Sequence, residues 1–497
     1  MTLGHDSSME CGEHIVLDGR NFPSANRKQD VPIVMVPGFL GPGWDENKSN
    51  PNSPWYSYWG EAAKMSTPGS PVLCAWPSGL ASMHDRACEI FAQIKGGVVD
   101  FGHEHSEEFG HSRFGRTYPG LYPQWSAANP IHMVGHSLGG NTIRVLQYLL
   151  STKAFSGHDT SEDWIVSITA LNSPLNGSLT AYALGEREAS APEIVTLSPG
   201  HVLGSVVHAF SFLDFKPVGF DISLDQWNLS YKTASFLDGM KKALLSISVH
   251  SDLVESEDNA AFDASVHAMN KWNRKMGAGY PNTFYTSYVG TGRDANTIPA
   301  LPSGFAMKQW VNWLGRFSQF GFRRGVLSVF LHLTNRRDYS VLKATLPDMH
   351  WESWGGYSDG LCCTFAQSYP QVGIETSTPN CRLPETSAEM RPGLWYVEEH
   401  GQDHMGIVPF PISSEHQAVF FATMFERVRG LPAVGCRVKQ QAEARVASKA
   451  AWACERVART LMDAGSDQEA SDADTEPRSP HARVVSGVGD AYEEETN

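Results

Sequence analysis

From Val31 onward, short apolar runs alternate with segments in which apolar residues recur every three to four positions. The runs Ile33–Val36, Pro71–Trp76, Ile131–Val134, Trp164–Leu171, Phe284–Val289 and Leu394–Val397 predict strands. Several are apolar throughout, as a strand covered on both faces of a parallel sheet must be. Between them Ala87, Ile90, Phe91 and Ile94 fall at i, i+3, i+4 and i+7 and make one helical stripe. Phe421, Met424, Phe425 and Val428 repeat that spacing, and Ile143, Leu146 and Leu150 mark another helix. Alternation of strand and helix predicts an α/β fold, with a doubly wound, mostly parallel sheet covered by helices on both faces.

Residues 1–30 are polar and lack a period, and are read as an extension to a domain spanning 31–435. The interval from about 175 to 280 is rich in Gly, Ser and aromatics and too long for a simple connection, which predicts an inserted cap. Residues 436–464 read as a polar helix with a weak stripe of Val446, Ala450, Val457 and Leu461. From 465 to 497 Asp, Glu, Ser and Gly dominate, and too little apolar surface remains to offset the entropy of ordering.

Composition narrows the function classes. Apolar residues make up 41% and charged residues 19%, an ordinary globular balance. A net charge of -15 argues against a nucleic-acid surface. About half of that charge sits in the last thirty or so residues, which read as a solubilising tail. No apolar run approaches the length of a membrane span. The opening MTLGHDSSMECGEH lacks the basic start and apolar core of a secretory signal, so the default expectation is an intracellular protein. The eight cysteines form no spacing framework and no C-x-x-C pair, so buried free thiols are expected rather than disulfides or thiolate metal sites.

The strongest local signal is Ile131-His132-Met133-Val134-Gly135-His136-Ser137-Leu138-Gly139-Gly140, an apolar strand running through G-x-S-x-G into a helix. The pentapeptide alone is a weak signal; the strand before and helix after make it specific. A nucleophilic serine needs a sharp strand-to-helix turn, where side chains at Gly135 and Gly139 would collide. The helix N-terminus also brings backbone N–H groups, that of Leu138 first, to a developing oxyanion. Upstream, Ile33–Val36 opens into Pro37-Gly38-Phe39-Leu40-Gly41, where Phe39 is the candidate for the second oxyanion N–H; an ordinary β-turn is the bland alternative. Chain order in such sites runs serine, acid, histidine. Asp403-His404-Met405-Gly406 follows the last strand, so His404 fits, with His400 and His416 as competitors. Asp359 lies in a suitable turn, and Asp338 and Asp348 are also available.

A second cluster is Gly102-His103-Glu104-His105-Ser106-Glu107-Glu108-Phe109-Gly110-His111. Imidazole nitrogens and carboxylates suit tetrahedral zinc, but the local ligand set is incomplete, and a solvated polar loop is the alternative.

The strings Asp85-Arg86-Ala87-Cys88-Glu89, Lys95-Gly96-Gly97-Val98-Val99-Asp100-Phe101-Gly102 and Gly110-His111-Ser112-Arg113-Phe114-Gly115-Arg116-Thr117-Tyr118-Pro119-Gly120 resemble the zinc-containing α/β-hydrolase lipases of thermophilic bacilli and their eukaryotic relatives. Phe220-Asp221, Asp225-Gln226-Trp227, Pro281-Asn282-Thr283-Phe284-Tyr285 and Gly393-Leu394-Trp395 extend the likeness over about residues 31 to 430. The resemblance implies an α/β-hydrolase fold with Ser137 as nucleophile, Asp359 as acid and His404 as base. It also implies zinc ligands at Asp85, His105, His111 and Asp258, with Glu257 and Asp263 close enough to compete for the last place. The metal's implied role is structural.

Two departures stand out. Pro37-Gly38-Phe39 replaces the family's His-Gly-Phe, and Gly406 stands where bacterial members carry a calcium-binding glutamate, so calcium is not expected. The implied activity is hydrolysis of fatty-acyl esters through an acyl-enzyme, with a lipid ester as partner at a lipid–water interface. An acyltransferase or short-chain esterase on the same residues, or an inactive lipid- or protein-binding scaffold, are the alternatives.

Overall fold

The computed structural model describes residues 31–41, 43, 58–195, 198, 223–227, 256–292, 339–354, 357–373, 378–408 and 415–431. The expected extension over 1–30, the helix over 436–464 and the acidic segment 465–497 lie outside the described residues. So does part of the expected cap, including Phe210, Phe212, Phe215 and Phe220.

The described strands are β1 (Ile33–Val36), β2 (Val72–Cys74), β3 (Gly97–Asp100), β4 (Phe114–Tyr118), β5 (Ile131–His136), β6 (Ile165–Leu171), β7 (Phe284–Gly290), β8 (Asn380–Arg382) and β9 (Trp395–His400). Seven form one sheet in the order β2-β1-β5-β6-β7-β9-β8, and every pairing in it is parallel. This is the doubly wound sheet that the alternating pattern predicts, and all six expected strands belong to it. The seventh, β8, is a short Asn-Cys-Arg strand at the edge with β9 as its sheet neighbour. An edge strand needs no continuous apolar run, so it carried no signal. β3 and β4 make a separate antiparallel ribbon.

Successive residues of a strand point to opposite faces, and two cores follow from that. Val34, Val36, Ile131, Met133, Ile168 and Ala170 face one core, together with Ile90 and Ile94 of α1 (Met83–Lys95) and Ile143, Leu146 and Leu150 of α3 (Leu138–Ser151). Ile33, Met35, Val134 and Leu171 face the other, against Phe421, Met424, Phe425 and Val428 of the helix Glu415–Arg429. All three predicted helices therefore cover the sheet, α1 and α3 on one face and Glu415–Arg429 on the other. The sheet is buried on both sides, and the chain ends of β1, β5, β7 and β9 open at one edge. Ligand sites of parallel α/β sheets form at this carboxyl edge.

The histidine-rich segment is α2 (His103–Phe109), not the polar loop considered as its alternative. Its last turn closes on Gly110 with φ 73°, a left-handed C-cap that turns the chain back toward β4.

One buried acid gives the fold a pH signature. Glu89 on α1 is 4% exposed and accepts the Ser78 N–H at 2.5 Å. Burial pushes its carboxyl up to about 8, against the opposing pull of that hydrogen bond. Because the folded value lies above the unfolded one, its contribution is complete below about pH 4.5 and is lost as pH rises toward 8. In Glu89→Gln, chemical denaturation should show a shallower fall in stability across that window, the difference reaching at most about 1.4 kcal/mol per pH unit. Parallel curves for the two proteins would contradict the assignment.

Candidate active site

Ser137 sits between β5 and α3 with φ 54° and ψ -131°, a conformation costly for any residue with a Cβ. The turn is that tight because a Cβ at Gly135 would strike the backbone of Gly139 and Gly140. One at Gly139 would strike the carbonyls of Val36 and Pro37. The Ser137 N–H bonds to Leu171 O at 2.8 Å, tying the bend to β6.

The structure brings Ser137, His404 and Asp359 into one line. His404 Nε2 lies 2.8 Å from Ser137 Oγ, and His404 Nδ1 lies 2.7 Å from Asp359 Oδ2. An ionised carboxylate only accepts, so Nδ1 carries the proton and Nε2 is free to accept from the hydroxyl. Asp359 is fully buried and its Oδ1 accepts the N–H groups of Leu361 and Cys362 at 3.0 and 2.8 Å, which hold the carboxylate in place. The competing residues are placed elsewhere. His400 bonds Asn172 Oδ1 at 2.9 Å, and His416 is exposed on the helix Glu415–Arg429. Asp348 is exposed and pairs with Arg274 at 2.8 Å, and Asp338 lies outside the described residues.

The loop after β1 packs directly on the serine. A Cβ at Gly38 would come within 2.6 Å of Ser137 Cβ, so only glycine allows this approach. Phe39 and Leu138 then flank the serine, and neither N–H has an acceptor among the described residues. Arg86, fully buried on α1, props this loop from below. Its Nη2 donates to Pro37 O at 2.6 Å, its Nη1 to Ser78 O, and its Nε to Thr142 Oγ1 at 3.1 Å. Sequence reasoning missed Arg86 as a site residue, because a lone arginine in a helical stripe carries no such signal. Asn172 was missed too: at φ 49° just past β6, it donates to Asp403 O at 3.2 Å and so braces the turn that carries His404.

A second cluster lies beside α1. His105 Nε2 is 3.2 Å from both Asp85 Oδ1 and Asp258 Oδ1, while His111 Nε2 is 3.3 Å from Asp258 Oδ2 and 3.8 Å from Asp85 Oδ2. His105 Nε2, His111 Nε2 and Asp258 Oδ2 are buried and make no hydrogen bond. Burial opposes charge on His105, yet the Asp258 and Asp85 carboxylates outweigh it and hold the imidazole up to about 9. His111 Nδ1 donates to Ser112 O at 3.0 Å, which leaves its Nε2 lone pair aimed at the carboxylates. Gln226 Nε2 donates to Asp85 Oδ2 at 2.9 Å, a further support that sequence reasoning did not assign. The neighbouring acids are engaged elsewhere: Glu257 pairs with Lys271, and Asp263 accepts from Met83 N and Trp272 Nε1. Three of these four imidazole–carboxylate distances, 3.2–3.3 Å, are close to the edge of a tetrahedron with bonds of about 2.0–2.2 Å, and the fourth is 3.8 Å. The residues present therefore fit a small divalent cation.

Residues 29–304 match the family described as lipase-like, C-terminal domain. The chain belongs to that family. It is 30% identical over 344 residues to Lipase 2 of Staphylococcus aureus, covering 63% of this chain and 47% of that protein. To the lipase of Staphylococcus hyicus it is 28% identical over 287 residues, covering 53% of this chain and 41% of that one. The chain thus spans about half the length of the curated relatives it matches. Among solved structures, lipase 1 from Pelosinus fermentans matches with a TM-score of 0.53 at 25% identity, covering 82% of this chain and all of that one. EstA from Clostridium botulinum matches at 0.54 and 24%, covering 82% and 89%. The α/β-hydrolase fold is what this chain shares with these two structures.

Proposed function

We propose that this chain is a serine carboxylic ester hydrolase acting on fatty-acyl esters. The observation that carries the reading is the unbroken Ser137–His404–Asp359 chain of 2.8 and 2.7 Å bonds, held at a bend that costs backbone energy to maintain. His404 Nε2 takes the Ser137 proton as Oγ bonds to the ester carbonyl carbon. The oxygen that gains charge is held by the N–H groups of Phe39 and Leu138. His404 then returns the proton to the departing alcohol oxygen, and an acyl-Ser137 remains. Water, deprotonated by the same nitrogen, then bonds to the acyl carbon; the bond to Ser137 Oγ breaks, the fatty acid leaves, and His404 returns the proton to Oγ. Asp359 keeps the imidazole in the tautomer that can do this and stabilises its charged form.

The lipid character of the substrate is supported by the names of the Staphylococcus relatives. It is also supported by the apolar group of Leu80, Ala81 and Leu224, with Phe39, Leu40 and Trp227 packed against it, at the loop that faces the serine. Wild-type protein should hydrolyse p-nitrophenyl esters and emulsified triacylglycerol, with Ser137→Ala lowering kcat by about ten-thousandfold or more. Turnover confined to acetyl and butyryl esters would restrict the proposal to short-chain substrates, and equal turnover by Ser137→Ala would end it.

The cation we assign to Asp85, His105, His111 and Asp258 is zinc. Two imidazoles and two carboxylates whose ligand atoms lie within 4.8 Å of one another suit zinc, and four protein ligands leave no open position. Zinc there would supply cross-linking rather than chemistry, joining α1, the α2 segment and the stretch before Val266–Met276. Metal analysis of purified protein should find about one zinc per chain, lost in His105→Ala and His111→Ala together with a lower Tm. Equal metal content in the three proteins would exclude the assignment.

A further inference from the structure

His136, the residue before the nucleophile, is 1% exposed and uses both ring nitrogens. Its Nε2 lies 2.9 Å from the backbone carbonyl of His404, and its Nδ1 lies 2.7 Å from Tyr58 OH. The Tyr58 oxygen in turn accepts the Gly38 N–H at 3.0 Å. The direction of every bond in this chain follows from chemistry. A carbonyl can only accept, so His136 Nε2 carries the proton. Its Nδ1 must then accept, which makes Tyr58 the donor there and leaves the phenol oxygen to receive Gly38 N–H.

Burial on every side keeps both rings in these forms. Burial, with the His404 imidazole next in weight, holds His136 down to about 3, and burial raises the Tyr58 phenol above its usual range. Edge-on contacts of Tyr58 with Trp59, Trp76 and His136 leave its ring little room to turn.

The two ends of this chain reach the general base and the oxyanion loop of the proposed site. His404 is clamped at its own main chain: its N–H bonds Asp359 O at 2.9 Å, and its C=O receives His136. At the other end, consuming the Gly38 N–H turns that peptide toward Tyr58, and the next N–H along the loop is that of Phe39.

We infer that His136 and Tyr58 are positioning residues that hold the general base and the oxyanion loop in register with Ser137, acting as one hydrogen-bonded unit. This rests on the hydrolase reading above. Neither residue reaches the reacting atoms, so the chain acts through His404 and Phe39. The G-x-S-x-G pattern leaves the residue before serine open; here it is occupied by a side chain with one donor and one acceptor pointing in opposite directions.

The test uses the full-length protein, p-nitrophenyl butyrate as substrate, and an alkyl fluorophosphonate to count active sites, all well below the measured Tm. Tyr58→Phe removes only the hydroxyl. It should lower kcat per titrated site about ten- to a hundredfold while KM stays within about threefold, because misplacement by a fraction of an ångström is felt in the transition state. His136→Leu should do the same. The double variant should lose no more than the worse single one, since both break one chain. His136→Gln, whose amide N–H can still reach the His404 carbonyl, should recover most of the His136→Leu loss.

A purely structural role would lower Tm and leave kcat per titrated site within about twofold of wild type. That result for Tyr58→Phe would overturn the inference, and additive losses in the double variant would overturn the single-unit claim. Wild-type protein with no titratable serine would instead remove the hydrolase reading, and this inference with it.

Discussion

The backbone at Ser137 is held where an L-residue does not rest willingly, and much of the surrounding structure serves to keep it there. A φ of 54° with ψ of -131° costs about 1–3 kcal/mol. Three things offset it: the N–H bond to β6, the first turn of α3 starting at once, and two glycines that let neighbouring backbone press against the bend. The parallel sheet supplies the rigid frame. β5 is buried along its whole length between β1 and β6, so the bend cannot relax by letting its strand slide. The loop after β1, the acid turn at Asp359 and the histidine after β9 then converge on the hydroxyl.

The same helix serves both chemical clusters. Asp85 of α1 reaches into the His105–His111–Asp258 group, while the adjacent Arg86 holds the Pro37 carbonyl. A fully buried guanidinium is tolerable only because each of its nitrogens donates to an oxygen, and one of those oxygens belongs to the loop that faces the serine. The histidine–carboxylate cluster and the loop facing the serine are therefore held by two adjacent residues of one helix, and α1 is anchored by the Ser82 cap at its start.

What could be read from sequence divides along physical lines. The six strands read from sequence were legible because each carries a mainly apolar run into the core, and α1, α3 and Glu415–Arg429 because one face of each meets the sheet. β8 was not, because an edge strand can be polar; nor was the β3–β4 ribbon, whose residues Val98 and Phe114 are exposed. Ser137 lies in a contiguous strand–turn–helix string, and contiguous strings survive in a sequence. Asp359 and Asp258 lie in no such string: they are singled out from Asp348, Glu257 and Asp263 only by where the fold carries them. The histidine-rich segment looked like a solvated loop because half its faces are exposed; helical pitch turns His105 inward, and the chain after Gly110 brings His111 back beside it.

The bend at Ser137 matters only if it presents the hydroxyl, the imidazole and two backbone donors to one carbonyl at once. The most direct measurement is the crystal structure of the adduct formed with an alkyl fluorophosphonate. Phosphorus should be bonded to Ser137 Oγ, with the phosphoryl oxygen about 3 Å from the N–H groups of both Phe39 and Leu138. Phosphorus on another side chain, or a phosphoryl oxygen turned away from both donors, would contradict the account.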